Sequence, residues 1–225
     1  MTERRKMNLA KVSGFLSASF LLLTLLGDTT EACSCARRHP QTAFCSSDIV
    51  LRAKFVAVNK MEGNLSERRW MYHEIKTIKL YKGPEEMQDV RYVHTPPIDG
   101  ACGYFHGGPL KEEYLITGRL KGDEVLITIC DFIRPWAEIT LAQKRGFTSE
   151  YSKGCSCSIV SCHSECSITS DNQCLWTDLL RSQNQSYFQD KHLACLPRAE
   201  KNGMCTWKSL GTQRSGSFRK RRLTQ

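Results

Sequence analysis

The alternation of apolar and polar side chains is clearest between Ile49 and Val58. There Leu51, Ala53, Phe55 and Ala57 fall on one face and Arg52 and Lys54 on the other. A period of two in a stretch rich in β-branched and aromatic residues predicts a half-buried strand. Four further segments have strand character: Tyr72–Tyr81, Asp89–Thr95, Glu113–Leu120 and Glu124–Phe132, separated by glycine, proline and acidic turn residues. In the first of these, Ile75 and Ile78 lie on opposite faces, which predicts a bulge. Five short strands without long intervening helices predict a small closed or partly open barrel. Pro135–Gly146 reads as a helix, with Ile139, Leu141 and Ala142 as its apolar positions and Gly146 as its stop. Beyond Cys155 the periodicity fades, apart from a helical pattern at Leu175–Leu180, and a thin-cored second domain is expected there.

The amino-terminal pattern is of another kind. Arg4, Arg5, Lys6 and Lys11 precede an uncharged apolar run of 15 residues, Val12–Leu26, and Thr30-Glu31-Ala32 places small residues at the third and first positions before a cleavage point. A membrane span needs about 20 residues, so residues 1–32 read as a secretory signal peptide and Cys33 as the first residue of a secreted chain.

Composition then changes the picture in one respect. All 12 cysteines follow residue 32, and an even number in an oxidising compartment reads as a disulfide framework. A structural zinc site is the weaker reading: Cys33/Cys35 and Cys155/Cys157 are spaced more tightly than typical zinc-ligand pairs, there is no His-Glu-x-x-His, and the six histidines are scattered. His39, before Pro40, reads as a turn residue. Trp136 and Trp176 read as core. Hydrolase chemistry through a free cysteine or a resident metal has no motif behind it.

The full chain carries a net charge of +9, of which Arg214, Arg219, Lys220, Arg221 and Arg222 contribute five in a stretch with no acid after Glu200. The body is therefore mildly basic, and residues 211–225 read as a flexible basic tail, a candidate for glycosaminoglycan or another anionic surface. Nucleic acid is not an expected partner outside the cell. Asn64-Leu65-Ser66 and Asn184-Gln185-Ser186 are candidate glycosylation sites, expected on surface loops.

Cys33-Ser34-Cys35-Ala36, His39-Pro40-Gln41-Thr42-Ala43-Phe44-Cys45, Cys102-Gly103-Tyr104-Phe105, Leu141–Thr148, Cys174–Asp178 and His192–Arg198, taken in order, resemble segments of the tissue inhibitors of metalloproteinases. Cys102–Phe105 and Leu141–Gln143 look most like the type-1 branch. The resemblance implies a mainly β fold with short helices (α+β). Residues 33–155 would form a five-stranded OB-like, netrin-type barrel and residues 156–210 a small disulfide-rich carboxy-terminal domain. It implies the pairs Cys33–Cys102, Cys35–Cys130, Cys45–Cys155, Cys157–Cys205, Cys162–Cys166 and Cys174–Cys195. The Cys155–Cys157 and Cys162–Cys166 spacings are each one residue shorter than the type-1 pattern.

The same resemblance implies a non-enzymatic, secreted inhibitor of matrix metalloproteinases that acts in the extracellular space or matrix. The amine and carbonyl of Cys33 would chelate the target's catalytic zinc, with no cofactor of the inhibitor's own. Ser34 would enter the primary specificity pocket, flanked by Cys35, Ala36 and the loop Ile98-Asp99-Gly100-Ala101. Where the type-1 pattern has larger or more polar residues, this chain has Ala36, Gly100 and Ala101, which bears on target preference. The expected partners are zinc metalloproteinases in a 1:1 complex, and a proenzyme bound through the carboxy-terminal domain. The competing reading is a netrin-type module that binds a receptor, matrix or proenzyme through that domain without inhibiting.

Overall fold

The structure is a computed structural model that describes residues 33–61, 70–180, 188–199 and 203–211. The signal segment, Asn64, Asn184 and the basic tail from residue 212 onward lie outside the described residues.

Six strands make the main sheet: β1 (Ile49–Met61), β2 (Met71–Lys82), β3 (Tyr92–Thr95), β4 (Glu113–Lys121), β5 (Glu124–Leu126) and β6 (Ile133–Pro135). Their order is β1-β2-β3-β5-β4-β6, and β1 also pairs with β4, so five strands close into a ring with β6 against the outside edge of β4. The β3–β5 contact is parallel and the other pairings are antiparallel. This mainly β architecture with a few short helices is consistent with an OB-like fold.

The expected face of β1 points inward. Leu51, Ala53 and Phe55 are fully buried and pack with Ile75, Val93, Ile116, Val125 and Ile127 inside the ring. Ile75 is buried and Ile78 exposed, and β1–β2 pairing shifts register four times along the ribbon, as bulges require. Val50 and Leu115 are equally buried on the opposite face. There they meet Phe44, Ile139, Phe147, Tyr151, Ala194, Leu196 and Leu210 in a second cluster. Burial on both faces explains why Ile49-Val50-Leu51 and Tyr114-Leu115-Ile116 are unbroken apolar runs.

Four of the expected elements differ. Strand structure in Asp89–Thr95 begins only at Tyr92, after a 3₁₀ turn over Glu85–Asp89. The segment Glu124–Phe132 leaves the sheet after Leu126, because Asp131 Oδ2 accepts from both the backbone N–H and the hydroxyl of Thr128, each at 2.8 Å. Short polar side chains that bond their own backbone compete with a ladder in this way. The expected helix Pro135–Gly146 is shorter: Pro135 ends β6, and the helix runs from Leu141 to Arg145. A capping box starts it, with Thr140 Oγ1 accepting from Gln143 N and Gln143 Oε1 from Thr140 N. Gly146 is no stop. It is helical, and the chain continues through helical turns over Gly146–Glu150 and Tyr151–Gly154. A side chain at Gly146 would collide with the Tyr151 ring, so the glycine serves close packing.

The expected helix at Leu175–Leu180 is also corrected. Gln173–Trp176 is strand β8, paired in parallel with β7 (Ser158–Ser161), and only Asp178–Leu180 turns. Cys174 and Trp176 are buried while Gln173 and Leu175 are half-buried, a period of two. Strands β9 (Leu193–Pro197) and β10 (Cys205–Ser209) form a second two-stranded sheet, and a short helix spans Phe188–His192. The chain holds six disulfides and no free cysteine. Five pairs are Cys35–Cys130, Cys45–Cys155, Cys157–Cys205, Cys162–Cys166 and Cys174–Cys195, and Cys33 and Cys102 are each disulfide-bonded.

Candidate functional site: an exposed, tethered edge

The residues Ser34–Arg37 are exposed chain without regular structure, leading into the helix Pro40–Ser46. His39 starts that helix. Its Nδ1 accepts from Gln41 N at 3.1 Å, its Nε2 meets the Gln189 carbonyl at 3.1 Å, and Pro40 stands at the first helical position. The first contact makes Nδ1 an acceptor, so Nε2 carries the proton and donates to Gln189. Burial among Tyr151, Trp176 and Trp207 pushes the imidazole pKa down to about 4. The turn role read for His39 is therefore a helix cap in a buried, neutral form, and Trp176 is fully buried core.

Gln41 ties this helix to the carboxy-terminal strands. Its Nε2 donates to the carbonyls of Gly154 (2.9 Å) and Cys195 (2.7 Å), and its Oε1 accepts from Cys195 N at 2.8 Å. No side chain fits at Gly154, where a Cβ would strike Gln41 Nε2 and the Cys195 carbonyl.

Cys35 is bonded to Cys130, and Cys130 Sγ lies 3.9 Å from Cys102 Sγ. This brings Cys35 close to Cys102, the last residue of the loop Ile98–Cys102. The loop is a 3₁₀ turn over Asp99–Ala101, with Ala101 N and Gly103 N both donating to the Ile98 carbonyl. Cys102 has φ 61°, in the left-handed region that is unusual for a residue with a side chain. Gly103 is tightly packed, since a Cβ there would collide with the Pro96 carbonyl. Tyr104 N donates to Thr95 Oγ1 at 2.7 Å and anchors the far end of the loop to β3. The outer surface is small or apolar: Ser34, Ala36, Gly100 and Ala101 are exposed, and Ile98 is 60% exposed.

Sequence reasoning missed Ile129. It is an exposed apolar residue whose N–H donates to the Cys102 carbonyl at 3.0 Å, so it adjoins the loop. The signal was present, because Ile129 precedes the cysteine that holds Cys35. Arg38 was also missed: it donates to the Cys130 carbonyl and lies 3.7 Å from Asp131.

The fold and this edge define a class: a disulfide-tied β ring that presents a short exposed segment held from beneath. A model of the tissue inhibitor of metalloproteinase family matches residues 31–207. The chain is 40% identical over 197 residues to metalloproteinase inhibitor 3 of Scyliorhinus torazame, covering 85% of this chain and 89% of that one. It is 39% identical over 200 residues to metalloproteinase inhibitor 2 of Homo sapiens, covering 85% and 88%. For metalloproteinase inhibitor 2 of Bos taurus the identity is 41% over 202 residues, with the same coverage. The chain belongs to the tissue inhibitor of metalloproteinase family, whose members are inhibitors and not enzymes. These relatives carry the type-2 and type-3 names, and the likeness to the type-1 branch gains no support from them.

Proposed function

We propose that this protein is secreted after cleavage behind Ala32 and inhibits zinc metalloproteinases, one inhibitor per enzyme, by presenting the new amino terminus at Cys33 to the catalytic zinc of its target. A catalytic zinc keeps one coordination position open for water or substrate, and a backbone amine with its own carbonyl forms a five-membered chelate there. An α-amino group has a pKa near 7.7–8.0, so deprotonating it at pH 7.4 costs roughly 0.5 kcal/mol, against about 4 for a lysine. Ser34 then enters the primary specificity pocket, flanked by Ala36, Ile98, Asp99, Gly100 and Ala101.

The observation that carries this reading is the tether beneath an exposed segment. The Cys35–Cys130 bond ties down the exposed stretch Ser34–Ala36, and Cys102, which follows the Ile98–Ala101 loop, has its sulfur 3.9 Å from that of Cys130. Ordering a free chain end on binding would weaken affinity, and a segment tied in advance avoids that loss. Among the described residues no helix is long and apolar enough to cross a membrane. Membership of an inhibitor family supports the class of target.

The test is to add one alanine before Cys33, or to carbamylate its amine. Either change is expected to abolish inhibition of a metalloproteinase catalytic domain while the unfolding transition stays in place. Full inhibition by either form would overturn the zinc-chelating mechanism. It would favour a binding module that acts elsewhere.

A further inference from the structure

The edge has a second anchor, and it lies about 150 positions away in the chain. Arg37 Nη2 donates to Asp190 Oδ2 at 2.8 Å, and the Arg37 guanidinium stands 5.7 Å from the centre of the Trp176 ring. Both partners come from the carboxy-terminal part. Asp190 is a fixed post: its N–H donates to Asp178 Oδ2 at 3.1 Å and its carbonyl accepts from Gln143 Nε2 at 3.0 Å. Its neighbour Lys191 is held in turn, the carbonyl accepting from Thr140 Oγ1 at 2.7 Å. A cleft of about 410 Å³ runs alongside Cys35–Arg38, with Asp190 and Gln143 in its wall. Alongside this cleft the Cys35–Cys130 bond and the Arg37–Asp190 pair tie the segment down.

We propose that Asp190, acting through Arg37, is a positioning residue for the inhibitory segment Ser34–Ala36, so that the carboxy-terminal part sets the pose of the reactive edge. This rests on the inhibitory reading above. The pair is asymmetric: Asp190 is 10% exposed at its side chain and Arg37 42%. Exposed ion pairs add little stability, and Asp190 is an uncomfortable carboxylate in its own right. Among the described residues its Oδ1 has no hydrogen-bond partner, and burial pushes its pKa up, opposed by Arg37. Replacing it with asparagine removes a buried charge at constant volume. The change is expected to cost the fold little, while the segment loses its ionic anchor.

The experiment compares full-length secreted protein with Asp190→Asn, Arg37→Gln and the conservative Arg37→Lys. Three quantities are measured: amide hydrogen exchange of residues 34–38, the inhibition constant against a metalloproteinase catalytic domain, and the unfolding midpoint. Asp190→Asn and Arg37→Gln are expected to speed exchange in 34–38 several-fold and weaken inhibition about five- to tenfold. The midpoint of Asp190→Asn should be unchanged or higher, and Arg37→Lys should restore most of both readouts. Unchanged exchange and inhibition in Asp190→Asn would overturn the proposal, as would faster exchange spread over the whole protein with a falling midpoint. If exchange in 34–38 rises but the unaltered protein does not inhibit, the anchor stands and the inhibitory reading fails.

Discussion

The inside of the five-stranded ring and the core of the carboxy-terminal part solve the same problem with different materials. In the ring, Phe55 is fully buried and touches the rings of His73, Tyr104, His106 and Tyr114, with centroids 4.1–6.1 Å away. In the carboxy-terminal part the buried cluster is Cys174, Cys195 and Cys205, backed by Cys157, Ile159 and Trp207. Its strands come as two separate pairs, β7–β8 and β9–β10, and an isolated two-stranded sheet is marginal in water. Sulfur bridges supply what apolar area cannot. Docking supplies the rest, because Ala194, Leu196 and Leu210 pack with Val50 and Leu115 on the outer face of the ring. The lesson is that a short segment with little core of its own is held by cross-links and by a neighbour's exterior.

Three measurements can break or sharpen this contrast. Phe55→Ala should cost about 4 kcal/mol in denaturant unfolding, the usual scale for emptying a buried aromatic site. A loss under about 1 kcal/mol would mean that the ring interior is not the main apolar store. Replacing both Cys174 and Cys195 with alanine opens a bridge of sequence separation 21 and should cost about 3 kcal/mol by the chain-entropy model. The far-ultraviolet circular dichroism of the ring strands should survive while protease sensitivity rises between residues 156 and 211. Equal loss of both regions would show that they unfold as one unit.

The third measurement addresses the seam between them, at His39. The imidazole is neutral in the fold, with its pKa lowered from 6.5 to about 4. Between those values the unfolded chain binds a proton that the folded chain does not. Stability contributed by the neutral form is therefore complete above pH 6.5 and falls as pH drops toward 4, by about 1.4 kcal/mol per unit, on the order of 3 kcal/mol in all. His39→Asn keeps a capping acceptor without titrating, so its unfolding free energy should lack this part of the acid slope. An unchanged slope would remove His39 as the acid-sensitive contact.

Much of the ring was legible along the chain because a strand with one face inward imposes its own period. Leu51, Ala53 and Phe55 announce their face by alternation alone, and the twelve cysteines announce cross-linking by their number. The seam was not legible. Gln41 bonds Gly154 and Cys195, and Arg37 bonds Asp190, across separations of 113 to 154 residues that leave no local pattern. Trp176 was read as part of a helix because a run of six residues carries too little periodicity to separate helix from strand. Thr140-x-x-Gln143 was a readable cap, and it was overlooked in favour of a longer helix from Pro135.

By itself, then, the sequence determined which faces are apolar, that the cysteines are bridged, and which short motifs match an inhibitor family. Those properties are local, set by side-chain chemistry and by spacing along the chain. Only the tertiary structure decided that β1 closes on β4, that Gly146 makes room for Tyr151 instead of ending a helix, and that Arg37 reaches Asp190. Each of these depends on the distance between groups far apart in sequence, and that distance exists only once the chain has packed.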